Sequence, residues 1–429
     1  MRKLKYVFSA MAWLMAMPMM AEVGDEFTSG NLKFKVVTEN ETTKEVQVIR
    51  PDANLSGDVV IPDHVTNNTV EYSVAYIKGG EIAEGCAFRE MNDITSITIP
   101  YTVYSMEFSA FYHCTGLQTV YNNGNMDKID GWTFYGCTNL EYCVVPATIT
   151  KIGQSAFEGC NTLKALTILG SVEFDQYALK GCSALKSIYY CGNTLSLKPT
   201  EDTWKIFEST NNPIFYTKYS ALSAIKYALN GKADWIKDLA TDEIPYTPAK
   251  QYTTFCRDFD VDFSAATGLK AGVATTDLNG TMLKLTVKTS IPAGTGVVLK
   301  KLNEGEYKLK IAEESPEAIV GNKLVGVVAP TAIPQTDGDN TNFVLKDGVF
   351  KKVNADNNTL PAGKAYLQLT TSSTTRSLSF SFEDDVTGID TTTIQTQTED
   401  GHCYNLAGLH VGNSTKGLYI INGKKVVVK

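Results

Sequence analysis

The sequence predicts a mainly β protein, in which a solenoid of short repeats is followed by an antiparallel β module of the sandwich or barrel type. Four cysteines recur at intervals of 23, 23 and 22 residues, and two apolar columns share this period. The 33 Gly and 21 Tyr of the chain suit strands joined by many turns. A length of 429 residues favours two or three units over one.

The charge balance excludes one class of partner. The chain has 39 basic and 47 acidic residues, which gives a net charge of -8. A nucleic-acid-binding surface needs an excess of positive charge, so we expect no nucleic-acid partner. A hydrophobic fraction of 43% predicts a folded chain.

Residues 1–21 have the pattern of a secretory signal peptide. Three basic residues are followed by the apolar run 6–20, by Ala21 and then by acidic residues. A membrane anchor is the alternative, but the run is short for a bilayer span. We therefore expect export. The basic residues are Arg2, Lys3 and Lys5.

The repeat has a period of 22 or 23 residues and three aligned columns. A unit this short cannot bury its own apolar side, whereas stacked units form a continuous core. The cysteine column is Cys114, Cys137, Cys160 and Cys182. The aromatic column is Phe88, Phe111, Phe134, Phe157 and Leu179. The aliphatic column is Ile94, Leu117, Leu140, Leu163 and Leu185.

The motifs of this region resemble the BspA type of bacterial leucine-rich repeat. They include Ile152-Gly-Gln-Ser-Ala-Phe157-Glu-Gly-Cys160-Asn-Thr-Leu163 and Ala178-Leu-Lys-Gly-Cys182-Ser-Ala-Leu185. Five copies span residues 74–191, within a solenoid domain at 74–195. The first copy departs from the pattern, with Met91 in the cysteine column. The resemblance implies an exported, non-catalytic surface protein that adheres to extracellular matrix proteins or other cells.

The cysteine column is interpreted as a row of buried free thiols. Equivalent positions on stacked turns lie about 5 Å apart, farther than the roughly 3.8 Å between the Cβ atoms of a disulfide. Cys143 falls at a core strand position, and the Phe column is also core. The sequence does not settle the state of the remaining cysteines: Cys86, Cys191, Cys256 and Cys403.

The repeat strands predict one exposed sheet face. Alternate residues of a strand point to opposite faces, so the third and fifth positions after the aliphatic residue face outwards. Three tyrosines there suggest an aromatic platform for protein or sugar; the alternative is that tyrosine merely favours strands. The candidate ligand-binding residues are Ser96, Thr98, Thr119, Tyr121, Tyr142, Val144, Thr167, Ser187 and Tyr189.

The segments that flank the repeats predict caps. Residues 22–73 predict an N-terminal β cap, in which residues 22–54 alternate apolar and polar side chains as expected of a β hairpin that seals the first repeat. Residues 196–247 predict a partly helical cap. One helix contains Leu222, Ile225 and Leu229, and a second short helical stretch lies around Trp235, Ile236 and Leu239.

The second half predicts a β-rich module at 248–384 and a linker at 385–402. Asp347-Gly348 is a hairpin signal, and Asn279-Gly280 marks another turn. Residues 403–429 resemble a shortened sorting segment of the type IX secretion kind, which implies contact with export machinery. The alternative is a terminal strand pair that docks on the module.

No motif predicts catalysis or a cofactor. His64, His113, His402 and His410 lack metal-ligand spacing. His113 precedes Cys114, but we expect it at the surface. Two acidic stretches bear a partial resemblance to calcium loops. Asp258, Asp260 and Asp262 alternate with apolar residues and read as the polar side of a strand, whereas the loop at 337–342 is the better calcium candidate but is composed of ordinary turn residues.

Three expectations follow. The protein is an exported cell-surface or secreted protein of a Gram-negative bacterium. Its partner is an extracellular or host protein, and a glycan-binding accessory protein for polysaccharide capture is the alternative. It is not an enzyme and uses no cofactor. The sequence does not indicate an oligomeric state.

Overall fold

The computed structural model describes residues 22–197, 203–229, 240–275, 282–354, 359–370 and 376–383, and the backbone of four strands between 403 and 428. The chain forms two compact units. The first consists of Met1–Tyr246, Asp258–Ala265 and Tyr307–Pro316. The second consists of Thr247–Arg257, Ala266–Glu306 and Glu317–Lys429. Two short segments from beyond residue 247 therefore belong to the solenoid unit.

The long sheet of the solenoid has eight parallel strands, one from each successive turn of the coil. Val120 is aligned with both Ile97 and Cys143, so each inward position stacks on its equivalent in the next turn. The strands are, in spatial order, Gly57–Val60, Ile94–Ile99, Thr119–Asn122, Tyr142–Val145, Ala165–Ile168, Ser187–Tyr190, Ile214–Thr217 and Ala240–Thr241.

A short parallel sheet forms the second side of the coil. Its strands are Lys128–Ile129, Lys151–Ile152, Val172–Phe174 and Leu195–Leu197. The corresponding strand of the first repeat, Ser105–Met106, pairs instead with Val70–Ile77 of the N-terminal sheet. That pairing joins the cap to the solenoid.

The phenylalanine column lines the third side of the coil from within. The rings of Phe88, Phe111, Phe134 and Phe157 are fully buried. Their centroids are separated in turn by 5.0, 5.4 and 5.3 Å, with the rings nearly parallel. The predicted core role of this column is confirmed.

The cysteine column is a row of buried free thiols, as predicted. Each thiol donates a hydrogen bond to the carbonyl of the Phe of the preceding repeat, at 3.0 to 3.2 Å. Burial raises the pKa of Cys114 to about 12, and it also raises the pKa of Cys137 and Cys160. Outside this column, Cys86, Cys143, Cys191 and Cys256 are also free, and the Cys403 side chain lies outside the described residues.

The N-terminal cap is a β sheet, and the predicted hairpin is confirmed. Leu32–Glu39 and Lys44–Ile49 pair antiparallel, and Leu32, Phe34 and Val36 point into the core. The predicted domain start at residue 74 falls within a strand of this sheet. Its strands are Glu26–Ser29, Leu32–Glu39, Lys44–Ile49, Val70–Ile77 and His64–Asn67, and the 3-10 helix Ala83–Gly85 follows in the chain.

The C-terminal end of the solenoid extends beyond the repeats that the sequence reveals. The 3-10 helix Thr203–Phe207 brings Phe207 to the position after Leu179 in the phenylalanine column, because Leu179 N–H donates to Ile206 O at 3.1 Å. The predicted helix is confirmed as Tyr219–Leu229, with Ile225 and Leu229 buried. The predicted stretch around Trp235 lies outside the described residues.

Three short antiparallel strands complete the first unit. Tyr307–Ile311 pairs with Ile244–Tyr246 on one side and with Val261–Asp262 on the other. Two ion pairs join Tyr307–Ile311 to the residues that directly precede Ile244–Tyr246: Lys308 pairs with Glu243, and Lys310 pairs with Asp242.

The second unit is built around one large sheet that is antiparallel except for one parallel pair. The predicted antiparallel β character is confirmed. Among the described strands a separate second sheet, as in a sandwich, is not shown, but the two ends of the main sheet meet as in a barrel: Thr295 bridges Val325, and the Cys256 N–H donates to Gly363 O at 3.1 Å. In spatial order its strands are Tyr252–Phe255, Val297–Lys301, Leu269–Val273, Met282–Lys288, Ser377–Phe382, Val349–Lys352, Asn340–Lys346, Lys364–Leu369 and Leu324–Val327. Thr336–Asp337 pairs with Asn340–Lys346 at one end of that strand. Thr331–Ala332 pairs with Thr359–Leu360, and Ser290–Ile291 is a further short strand.

The hairpin predicted at Asp347-Gly348 is confirmed. Asn340–Lys346 and Val349–Lys352 pair antiparallel across these two residues. Both have positive φ angles, 53° at Asp347 and 78° at Gly348, which is the geometry of a two-residue turn that matches the strand twist.

The C-terminal segment forms a separate antiparallel sheet of four strands. In spatial order these are His410–Val411, Cys403–Asn405, Gly417–Ile421 and Lys424–Val428. The sorting role proposed for it stays a prediction. The expected signal peptide, the turn at Asn279-Gly280 and the whole linker at 385–402 fall outside the described residues. Among the helices that the structure describes, none has the length and hydrophobicity to cross a membrane.

Candidate binding surface

The long sheet presents alternating residues to its two faces, as the strand pattern predicts. The inward residues Ile97, Val120, Cys143, Leu166 and Ile188 are at most 2% exposed. The residues between them lie on the outer face. Stacking fixes their spacing, because each is aligned in register with its equivalents in adjacent strands.

The nine predicted binding residues all lie on this outer face, but it is less open than predicted. Thr119 and Thr167 are buried, with 7% and 4% of their surface exposed. Thr167 lies between Val144 and Tyr189 in the neighbouring strands, whose larger side chains shield it. The half-buried residues are Ser96, Thr98, Tyr121, Tyr142, Val144, Ser187 and Tyr189.

Part of the outer face is covered by the chain itself. Tyr142 Oη donates a hydrogen bond to Asp258 Oδ2 at 3.1 Å. The Tyr189 ring lies 4.9 Å from the Phe259 ring and stacks at 5.4 Å on Tyr216 of the next strand. Two of the three tyrosines of the predicted platform therefore contact other parts of the same unit.

The covering segment, residues 258–263, has the alternation expected from its sequence. Phe259, Val261 and Phe263 are buried, and the aspartates between them are partly exposed. Asp262 accepts hydrogen bonds from the backbone N–H and the hydroxyl of Ser264 at 2.7 and 2.8 Å. This carboxylate thus caps a turn of the chain.

Apolar surface of the outer face is most exposed in its N-terminal half, since Ile214 at the other end is only 37% exposed. We call this region the open half; it consists of Asp58, Val60, Ser96, Thr98 and Tyr121. Val60 is 64% exposed and is aligned with Thr98. Asp58 Oδ1 accepts hydrogen bonds from the hydroxyls of Ser96 at 2.6 Å and Thr95 at 3.2 Å. These bonds order the polar side chains at this end of the outer face.

Sequence reasoning missed the first strand of this face and its last two, Ile214–Thr217 and Ala240–Thr241. A usable signal was present for the first, because Val59-Val-Ile-Pro62 matches the strand end Ile97-Thr-Ile-Pro100. The strand Ile214–Thr217 gave no such signal, since it begins 27 residues after Ser187, its partner.

Within the described ranges, no group of three His, Cys, Asp or Glu side chains is placed to hold a metal ion. The loop weighed as a calcium site is a hairpin turn in which Asp337 pairs with Asn340. Asp337 Oδ2 accepts from Gln368 Nε2, and Asn340 Oδ1 accepts from Thr370 Oγ1. His113 is exposed, as predicted.

Comparison with solved structures finds bacterial leucine-rich repeat proteins. The pneumococcal vaccine antigen PcpA is 19% identical, with a TM-score of 0.34, over 47% of this chain and 52% of that chain. The match thus spans about half of PcpA. A leucine-rich repeat protein from Bacteroides capillosus is 28% identical, with a TM-score of 0.28, over 33% of this chain and 97% of that chain. A leucine-rich cell surface protein from Faecalibacterium prausnitzii is 18% identical, with a TM-score of 0.25, over 42% and 57% of the two chains.

Comparison with curated proteins finds no match. Comparison with family models matches the model described as BspA type leucine-rich repeat region, in six copies over residues 81–200. The sequence pattern alone indicated five. The phenylalanine, cysteine and aliphatic columns fill the core of the same residues. Residues 81–200 of this chain are therefore a BspA-type leucine-rich repeat region.

Proposed function

We propose that this is an exported, surface-associated repeat protein that binds another protein through the open half of its long sheet. The observation that carries the proposal is the division of the outer face. The covering segment contacts Tyr142 and Tyr189, whereas Val60 at the other end is 64% exposed. A flat sheet with an exposed apolar residue and ordered polar neighbours suits a protein surface.

The other features are consistent with this function. The family match places the solenoid among bacterial repeats whose stacked strands give extended binding surfaces. The signal-peptide pattern at residues 1–21 supports export, and the tail at 403–429 supports attachment at the cell surface. We propose a host or neighbouring-cell protein as the partner, and no catalytic role.

Binding of residues 22–429 to immobilised extracellular matrix proteins, mucin and polysaccharides tests this proposal. Val60→Asp and Tyr121→Ala alter the open half without changing the inward face. Tyr101→Ala is the matched control, because Tyr101 is 63% exposed and lies outside the open half. We expect the two variants to bind a matrix protein or mucin at least tenfold more weakly, about 1.4 kcal/mol, and the control to bind as wild type.

Three results would contradict this proposal. Unchanged binding by both variants would place the site elsewhere. Binding to polysaccharide alone would favour the glycan-binding alternative. Turnover of a peptide or glycan would show an enzyme.

A further inference from the structure

The turn side of the solenoid carries a group of aromatic side chains that the core does not use. One column follows the buried phenylalanines and faces outwards. Its members in chain order are Arg89, Tyr112, Tyr135, Glu158, Lys180 and Glu208. Only its second and third members are aromatic, and His113 and Trp132 lie in the same two turns. We call Tyr112, His113, Trp132 and Tyr135 the aromatic patch.

The patch is ordered by direct contacts. The Tyr112 and Tyr135 rings stack at 5.0 Å with an angle of 5° between their planes. The Arg89 guanidinium lies 3.9 Å from the centre of the Tyr112 ring. The His113 ring lies 4.5 Å from Tyr112 and 5.6 Å from Tyr135. Side chains held in this way have little conformational entropy left to lose when a partner binds.

Trp132 belongs to the same turn as Tyr135. The Tyr135 N–H donates a hydrogen bond to Trp132 O at 3.2 Å. The Trp132 side chain is 37% exposed, although indole is among the side chains that gain most from burial. The equivalent positions in the adjacent copies are Ser109 and Ser155, so the repeat does not need an aromatic residue there.

His113 occupies a position at which the next three copies have glycine. All members of this column have positive φ, 55° at His113 and 69° at Gly136. This conformation lets the N–H bond to the next turn: His113 donates to Tyr135 O at 2.7 Å, and Gly136 donates to Glu158 O at 2.8 Å. Glycine adopts it without strain, whereas a residue with a Cβ is disfavoured by about 1–2 kcal/mol. The chain thus places at its surface a histidine whose backbone has a disfavoured conformation.

The imidazole lies directly over the backbone of Gly136. A Cβ at Gly136 would come within 3.0 Å of His113 Cδ2 and Nε2. The absence of a side chain at Gly136 therefore makes room for the ring.

We propose that the aromatic patch is a second protein-binding site, separate from the open half, and that it accepts an uncharged polypeptide segment. Tyr, Trp and Arg are the residues enriched in the energetic centres of protein interfaces. The patch combines two tyrosines, a tryptophan and an adjacent arginine on a preordered backbone.

The geometry favours a polypeptide over a sugar or a polyion. One face of the Tyr112 ring is covered by Tyr135 and the other by Arg89, so its edge and hydroxyl face the partner. A sugar that stacks on Tyr112 would need an open face of this ring. The nearby charges are paired within the chain, Arg89 with Glu90 at 3.4 Å and Glu158 with Lys180 at 3.3 Å. These two pairs therefore leave no unpaired charge that would attract a strongly charged partner.

A random-peptide phage library, selected on residues 22–429, tests the proposal. The double variant His113→Gly with Trp132→Ser introduces residues that neighbouring copies already carry. We expect enriched peptides that bind the double variant roughly tenfold or more weakly than wild type, and that bind Val60→Asp as wild type. Their affinity should change less than about threefold between about 0.05 and 0.5 M salt.

Stability separates a binding role from a structural one. The His113→Gly variant should unfold at the same or a higher temperature than wild type, because glycine relieves the positive φ. If the double variant unfolds at a lower temperature than wild type, peptide binding by the single variant His113→Gly tests the proposal instead. The proposal is overturned if no enriched peptide depends on the patch, if the affinity falls steeply with salt, or if a glycan array shows sugar binding that these substitutions abolish.

Discussion

Replacing Phe134 by alanine should be among the most destabilising single changes in the solenoid. The Phe134 side chain is 0% exposed and stacks on Phe111 at 5.4 Å and on Phe157 at 5.3 Å. Truncation of a buried phenylalanine to alanine costs about 3–5 kcal/mol. Each lost ring contact adds about 0.5–1.5 kcal/mol in isolation, although such contributions are not additive.

Two comparisons give the expected magnitude. Phe88 has one stacked neighbour in the column, at 5.0 Å, whereas Phe134 has two. We therefore expect Phe134→Ala to lower the free energy of unfolding by about 4–5 kcal/mol, and Phe88→Ala by about 1 kcal/mol less. Phe134→Leu should cost only about 1–1.5 kcal/mol, because Leu179 already occupies this column fully buried.

Urea unfolding of residues 22–429, followed by circular dichroism, measures these differences. Domain stabilities are about 5–15 kcal/mol, so a loss of 4 kcal/mol moves the midpoint far outside experimental error. Tyr101→Ala is the surface control, and we expect it to change stability by at most about 0.5 kcal/mol. A cost below about 1 kcal/mol for Phe134→Ala, or equal costs for alanine and leucine, would refute the stacked-column account.

Further predictions concern the thiols, the covering segment and the module. Burial raises the pKa of Cys114 to about 12 from 9.0, so iodoacetamide at pH 8 should label it only after unfolding; labelling of the native protein would contradict its burial. Because the folded protein favours the neutral thiol, the contribution of Cys114 to the free energy of unfolding is complete below pH 9.0 and is lost as the pH rises towards 12. Urea unfolding midpoints measured across this pH range should fall accordingly. Tyr142→Phe removes the hydrogen bond to Asp258 and should speed amide exchange of residues 258–263 by a few-fold, corresponding to about 1 kcal/mol; unchanged exchange would mean that the hydrogen bond does not hold this segment. Gly348→Ala introduces a Cβ at a φ of 78° and should cost about 1 kcal/mol in the second unit, whereas Asp347→Asn should be nearly neutral; equal thermal shifts would argue against the turn geometry.

Periodic features of the chain could be predicted well from sequence. The phenylalanine and cysteine columns were found because identical residues recur at one spacing, and identical positions of stacked turns must have the same environment. The hairpin at Asp347-Gly348 was equally direct, since its turn type depends on two residues alone. These inferences are local or repeated, so no knowledge of distant contacts is needed.

Contacts between distant segments were not predicted. Asp258 lies 116 residues from Tyr142, and its alternating pattern is that of any strand with one polar side. The first strand of the long sheet and Phe207 were missed because insertions break the period around them. The family model counts six copies over residues 81–200, where the sequence pattern indicated five.

The coil, its core and the identity of the inward residues follow from the sequence alone, because a repeated pattern has one stacked solution that buries its apolar columns. Which outward residues stay exposed depends on contacts made by the folded chain. Val60 at one end of the outer face is 64% exposed, whereas the Tyr142 hydroxyl on the same face bonds to Asp258. Similarly, the strain at His113 appears only when its φ of 55° is compared with the glycines of the next turns. Exposure and backbone conformation depend on the fully folded chain, and the residue pattern of a repeat does not encode them.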